Sequence, residues 1–254
     1  MFSVNYLNVL RAAEIEKIAR HFRPAGARVL EIGAGTGRQA QELSKLGFDV
    51  EAIEIPSSNY AQARMFDITD FDGNTIPFPD ASFDIVFSSN VLEHVPNLEN
   101  MHRQIRRVLK PEGYAVHVLP THAWRLWTSL SSFPATVQHL ADLAPSAIPR
   151  RGRPTAELRR LATVGLAAAK HIARPFRRHG ERGNVVSETW LFHPNWWRRN
   201  FSANGFDIIH DEPMGLFYTG NMTLGSRWSL EKRARVAKRL GSACHIFELK
   251  ARQP

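Results

Sequence analysis

Cysteine is nearly absent from this chain of 254 residues: Cys244 is the only one. That excludes a disulfide framework and any cysteine-based zinc site. Cys244 itself reads as a core residue of the last strand, in keeping with a reducing, cytoplasmic setting. No run of about 18 apolar residues occurs, so no segment reads as a membrane span. Residues 1–20 have neither the apolar stretch nor the cleavage site of a secretory leader. The HxxxH, HExxH and paired-carboxylate spacings of local metal sites are missing as well, so the expectation is no catalytic metal.

Charge is abundant but divided. Residues 1–120 carry 12 Lys/Arg against 15 Asp/Glu, a net of −3; residues 121–254 carry 21 against 9, a net of +12. The second half therefore suits an anionic partner, with an ordinary solvated basic surface as the plainer explanation.

The densest signal is Val29-Leu30-Glu31-Ile32-Gly33-Ala34-Gly35-Thr36-Gly37. It reads as a strand, a tight glycine turn and the start of a helix, where the backbone must bend sharply and let a ligand come close. The helix N-terminus behind the turn offers unpaired N–H groups. The spacing is GxGxG, not the GxGxxG of dinucleotide binders. Glu31 would repel a pyrophosphate and attract a sulfonium or ammonium centre, which favours S-adenosylmethionine over NAD. Residues 48–55 read as a second strand ending in Glu54, 21 positions after Gly33. This is near the roughly 20-residue offset at which a carboxylate meets a ribose diol. Residues 63–68 read as a short third strand with Asp67 set to accept from an adenine amino group. Residues 82–95 read as a fourth strand entering a helix, and residues 108–120 as a helix end, a turn and a fifth strand.

In this order the segments resemble the class I S-adenosylmethionine-dependent methyltransferases, in particular the ubiquinone-biosynthesis-like, type 11 branch. The likeness is good over residues 26–120 and weaker over 190–212 and 243–251. It implies an α/β, Rossmann-like, doubly wound and mostly parallel seven-stranded sheet whose last strand is antiparallel. S-adenosyl-L-methionine is the implied cofactor and S-adenosyl-L-homocysteine the product. The expected cofactor contacts are Glu31, Gly33, Ala34, Gly35, Gly37, Glu54, Ile55, Asp67, Ile68, Ser89 and Asn90. No acceptor follows from the fold.

The chain is expected to be a single methyltransferase domain over 1–254, with a cofactor-binding core at 26–120. Residues 121–189 interrupt the strand–helix alternation as a mainly helical, basic insertion between strands five and six, and residues 190–254 complete the sheet. Within the insertion, residues 123–143 read as helix and 145–154 as a loop with Arg150, Arg151 and Arg153. Residues 157–174 read as a basic amphipathic helix with Leu158, Leu161, Gly165, Ala168 and Ile172 near one face. Such a helix serves either as a lid packed on the body or as a contact with a membrane surface.

Methyl transfer needs donor and acceptor held in line, and a hydroxyl acceptor needs a base. His94, after the fourth strand, is the first candidate; His122 and His193 follow. Trp124, Trp196 and Trp197 are candidates to stack on an acceptor, and Arg198 to clamp its anionic group. The amino-methyltransferase run Asn/Asp-Pro-Pro-aromatic is replaced by Ser89-Asn90-Val91-Leu92, and Cys244 is badly placed for cytosine chemistry. Three readings remain. One is O-methylation of a glycan or lipid-linked glycan intermediate by an enzyme in peripheral contact with the inner face of the membrane. The second is methylation of a soluble metabolite such as a quinone or polyketide. The least favoured is a nucleic-acid-binding methyltransferase or non-catalytic binder, since no RNA-binding module is present.

Overall fold

The computed structural model describes residues 4–147, 154–173, 178–221 and 225–252. The strands are β1 (Arg28–Ile32), β2 (Asp49–Glu54), β3 (Thr69–Asp70), β4 (Phe83–Ser89), β5 (Leu109–Pro120), β6 (Phe206–Pro213) and β7 (Cys244–Ala251). They form one sheet in the order β3-β2-β1-β4-β5-β7-β6. β1 pairs in parallel with β2 and β4, and β4 with β5, while β7 runs antiparallel to both of its neighbours. The seven-stranded Rossmann-like arrangement follows from the residues. Val29, Leu30, Ile32, Ile85, Val86 and Phe87 are all fully or almost fully buried, as a parallel sheet covered on both faces requires.

The helices are α1 (Val4–Ile18), α2 (Arg38–Lys45), α3 (Leu98–Val108), α4 (His122–Ala147), α5 (Pro154–Ala173), α6 (Ser187–Leu191), α7 (Pro194–Ala203) and α8 (Leu230–Leu240). In α3, Leu98, Met101, Ile105 and Val108 recur every three or four residues and are buried, the stripe of a helix laid on a sheet. Asn97 caps it, its side chain accepting from the Asn100 N–H.

Two local expectations change. The third strand is not at 63–68. Residues 61–63 form a 3-10 turn and the strand is the two-residue β3 beyond it. Met65 N–H donates to Thr36 O at 2.8 Å, and Phe66 and Ile68 pack with Ala34, Ala40 and Ala52. The apolar alternation there fills the space under the glycine turn instead of building a strand. Second, α4 continues through Pro134 and Pro145 to Ala147, so residues 145–147 of the expected loop are helical. Arg150, Arg151 and Arg153 lie outside the described residues.

The insertion stands on β5 and is tied down through Arg125 of α4. Its guanidinium meets Glu188 of α6 at 2.6 Å, both side chains almost wholly buried. α5 packs on α4, yet Leu158 and Leu166 stay exposed (70 % and 59 %), so the helix does not lay a full apolar stripe on the body.

Two histidines of the core, His102 and His117, are fully buried. His117 shares a 2.8 Å hydrogen bond with Ser88 and stacks on Phe201; His102 bonds Asn200 at 2.9 Å. Burial drives their pKa values down, to about 3 for His117 and about 4 for His102, against about 6.5 in an unfolded chain. As pH falls below that value the unfolded state takes up protons that the fold refuses. Stability should therefore drop towards pH 4 by up to about 1.4 kcal/mol per pH unit for each histidine. Urea midpoints at about pH 7 and about pH 5 should show the loss, and His102→Gln should flatten the slope. Equal slopes in wild type and variant would remove His102 from the account.

Candidate active site

β1 delivers the chain into a turn with Gly33, Gly35 and Gly37 at φ of +71°, +58° and +77°. Gly33 N–H and Ala34 N–H both donate to Ile53 O of β2 (2.9 and 3.1 Å), folding the turn over the end of that strand. A side chain at Gly33 would begin 2.5 Å from Val91, and one at Gly37 2.5 Å from Phe66. At Gly35 a side chain would meet only the Tyr60 ring, at an ordinary contact distance of 3.5 Å, and Gly35 lines the cavity beside the turn. Glu54, last residue of β2, closes the arrangement. Its Oε2 accepts from Gly35 N–H and its Oε1 from Ile55 N–H, each at 2.8 Å. Each carboxylate oxygen keeps a free lone pair for a ligand hydroxyl.

A cavity of ≈ 900 Å³ opens beside this turn, near the top of the ~300–1,000 Å³ range of small-molecule sites. Ile32 to Gly35, Glu54 and Ile55 line one end; Asp72 to Asn74 form a side wall. Ser89 to Val91, His94, Arg11, Trp124, His179 and Tyr218 line it as well. Asn90 is one of two described non-glycine residues at positive φ (+56°), a conformation asparagine tolerates. Its N–H donates to Val118 O.

Of the residues expected to hold the cofactor, Gly33, Ala34, Gly35, Glu54, Ile55, Ser89 and Asn90 share this cavity. Glu31, Gly37, Asp67 and Ile68 do not line it. Glu31 lies beneath the turn, 1 % exposed, and its Oε2 has no hydrogen-bond partner among the described residues. Burial raises its pKa to about 8, with the Ala40 backbone bond opposing and the Glu54 charge reinforcing. Gly37 caps α2, Ile68 is packed under the turn, and Asp67 is exposed beyond the wall. The carboxylate that reaches the cavity is Asp72, just after β3. Its Oδ1 accepts from Thr75 N–H (2.7 Å) and Asn74 N–H (2.8 Å), and these bonds hold its pKa below the ordinary carboxylate range. The Asp72-Gly73-Asn74 turn chemistry was the available sequence signal.

The acceptor-side candidates divide too. His94 and Trp124 line the cavity; His122, His193, Trp196, Trp197 and Arg198 do not. His122 and His193 stack on each other at 4.5 Å, and His193 Nδ1 accepts from Asn195 N–H as the cap of α7. Trp197 is 1 % exposed in the main core with Trp196 packed against it. The Arg182 guanidinium covers both rings at 5.7 and 5.9 Å. Arg198 is paired with Asp211 of β6.

In their place the fold adds Arg11, His179 and Tyr218. Arg11 pairs with Glu14 at 2.7 Å, and the Tyr218 hydroxyl donates to the same carboxylate at 2.6 Å. His179 comes from the far side of the insertion. Its ring meets His94 at 4.7 Å and Trp124 at 4.6 Å, edge to face. Glu93 lies beside them, 1 % exposed, with neither oxygen hydrogen-bonded among the described residues; Oε1 is 3.8 Å from His94 Nε2. Burial raises the Glu93 pKa to about 8 and lowers those of His94 and His179, the latter to about 4.

Residues 30–117 match the family model described as a methyltransferase domain. The chain is 31% identical over 116 residues to the ubiquinone biosynthesis O-methyltransferase of Xanthomonas axonopodis pv. citri, covering 42% of this chain and 48% of that protein. It is 36% identical over 99 residues to the sterol 24-C-methyltransferase ERG6B of Gibberella zeae, covering 35% and 26%. The chain thus spans between a quarter and a half of the length of these relatives. Over 98% of both chains it shares the fold of a SAM dependent methyltransferase from Aquifex aeolicus, with a TM-score of 0.52 and 13% identity. The residues present fit S-adenosylmethionine. Gly35 and Glu54 line one cavity, and the Glu54 carboxylate, which accepts from the Gly35 and Ile55 N–H groups, offers paired acceptors for a diol.

Glu54→Ala should weaken S-adenosylmethionine binding by about 1.5–3 kcal/mol, the scale of hydrogen bonds to a charged group. Calorimetry is the measurement, and an unchanged affinity would refute the ribose assignment. Gly35→Val should abolish binding, because the side chain would strain a φ of +58° and crowd the Tyr60 ring at the cavity wall.

Proposed function

We propose that this chain, whose residues 30–117 match a methyltransferase-domain model, is an S-adenosylmethionine-dependent methyltransferase that methylates a hydroxyl oxygen of an anionic, lipid-linked acceptor, a glycan intermediate being the foremost case. The observation that carries methyl transfer is one cavity lined both by Gly35 and Glu54 and by His94, Trp124 and His179, the last three rings in mutual contact through His179. When bound, S-adenosylmethionine supplies a methyl group on sulfonium; the new O–CH₃ bond forms as the C–S bond breaks and sulfur keeps the electron pair.

The chain's own residues then have distinct tasks. Glu54 and the glycine turn fix the donor end, and Asp72 offers an acceptor on the side wall. Trp124 and Tyr218 shape the acceptor end and exclude water. The hydroxyl proton leaves through the Glu93–His94–His179 group. Positioning of this kind supplies much of the rate in a displacement.

Two features support a lipid-linked acceptor. Leu126, Leu130, Phe133 and Val137 of α4 are exposed by 45 %, 49 %, 51 % and 67 %, spaced as one helix face. The half of the chain that carries them has a net charge of +12, which suits an anionic membrane surface. No helix among the described residues is long and apolar enough to cross a membrane, so the contact would be peripheral. The second reading, a soluble aromatic metabolite, is favoured by the ring-lined end formed by Trp124, His179 and Tyr218.

Labelled methyl supplied as S-adenosylmethionine to source-cell extract should enter the organic or glycolipid fraction. Label confined to soluble metabolites would overturn the lipid-linked reading and favour the second. His94→Ala should lower turnover by about 10²–10⁴-fold; a loss under about threefold would leave His94 a wall residue.

A further inference from the structure

We propose that Glu93, His94 and His179 together hold one divalent transition-metal ion of the zinc class at the acceptor end of the cavity. One ligand atom from each residue lies within 4.8 Å of the others. Arms of about 2.0–2.2 Å around a tetrahedral ion set ligand atoms about 3.3–3.6 Å apart; Glu93 Oε1 and His94 Nε2 are already at 3.8 Å, and the side chains would draw together by about 1 Å to close on the ion. Two imidazoles and a carboxylate suit zinc and its neighbours in the first transition row. Three protein ligands leave one position open, as in catalytic zinc sites.

The second observation is Glu93 itself. A carboxyl 1 % exposed with both oxygens unbonded among the described residues is costly unless something pairs with it. The nearby cations are committed elsewhere: Arg182 donates to Val95 O (2.6 Å) and Leu92 O (3.0 Å), and Arg11 to Glu14. His179 is fixed against Glu93 and does not merely pass by it. Its N–H and that of Gly180 donate to Glu188 Oε1 at 2.7 Å each, and Glu181 N–H donates to the Glu93 carbonyl at 3.0 Å. A Cβ at Gly180 would sit 2.8 Å from that carbonyl, so the close approach requires glycine. The other described grouping of this type, His21–His210–Glu212, is already satisfied. Both His21 ring nitrogens have carboxylate partners at 3.2 Å, and Glu212 is paired with Lys17 at 2.9 Å.

This inference rests on the same site as the methyl-transfer reading and deepens it. An acceptor oxygen bound at the open position would lose its proton to solvent water more readily; with the ion bound His94 serves as a ligand, in place of the direct proton transfer of the metal-free reading. The test is metal binding alone, without S-adenosylmethionine or acceptor, so its failure leaves methyl transfer standing and the converse also holds. Chelator-treated full-length protein is titrated with Zn²⁺ by calorimetry, and retained metal is counted by mass spectrometry after desalting. One Zn²⁺ per chain is expected. Glu93→Gln and His179→Ala should each weaken it by more than the ~10–100-fold typical of losing an outer-shell partner. Co²⁺ in place of Zn²⁺ should give visible d–d absorption that is lost in the same variants. His179 is solvent-accessible, so His179→Ala keeps the test decisive should Glu93→Gln fail to fold. His210→Ala should leave binding unchanged. No retained Zn²⁺ in the wild type, equal affinity in His179→Ala, or loss in His210→Ala instead would each overturn the proposal.

Discussion

The backbone between β1 and α2 must turn back over β2 while leaving one peptide bare, and the rest of the site depends on that constraint. Three glycines at positive φ make the reversal, each with a different neighbour. Val91 forbids a side chain at Gly33, Phe66 forbids one at Gly37, and Gly35, with only the Tyr60 ring at ordinary contact distance, lines the cavity. Glu54 then locks the turn from the neighbouring strand by accepting the Gly35 N–H. The same carboxylate that fixes the turn is thus the one left facing a ligand. A loss at Glu54 acts on binding both directly and through the loosened backbone, which is why it is felt as more than one hydrogen bond.

The acceptor end depends on a different anchor. Glu188 receives the His179 and Gly180 N–H groups on one oxygen and meets the Arg125 guanidinium with the other. A pair buried this deeply is weak evidence for stability in itself, because desolvation offsets the attraction. Its effect here is geometric: it joins α4 to the segment carrying His179, so the insertion adopts one arrangement over the cavity. Arg182, donating to two carbonyls of the turn after β4 and covering Trp196 and Trp197, pins the same segment from below.

The parts of this structure readable from the chain are those where local pattern and tertiary role coincide. Parallel strands buried on both faces are apolar runs, and a glycine turn announces itself, so β1, β2, β4, β5 and the Gly33–Gly35 end of the cavity follow from residues alone. The β3 region did not, because Phe66 and Ile68 are apolar for packing under the turn and not for pairing. That displaced the wall carboxylate from Asp67 to Asp72. Trp196 and Trp197 looked like ligand-stacking groups, but α7 turns them into the core beside Arg182. His179 was invisible for a more general reason. It lies far along the chain from His94, and only the ion pair at Glu188 and the glycine at 180 bring it back. Local spacing rules for metals and bases see neither.

The insertion carries the surface on which the proposal of a lipid-linked acceptor rests. A lid for a small soluble metabolite needs apolar groups only on its inner side, where Trp124 already provides them. Leu126, Leu130, Phe133 and Val137 of the same helix are exposed by 45 % to 67 %. Apolar faces left in water are unfavourable at roughly 25 cal/mol per Å², and a contiguous row of them usually marks a contact surface. Set in the half of the chain with net charge +12, such a row is complementary to an anionic, amphiphilic surface, with hydrophobic burial and charge attraction acting together. Because α4 carries both Trp124 and this row, a surface that engages the outer face also bears on the cavity wall.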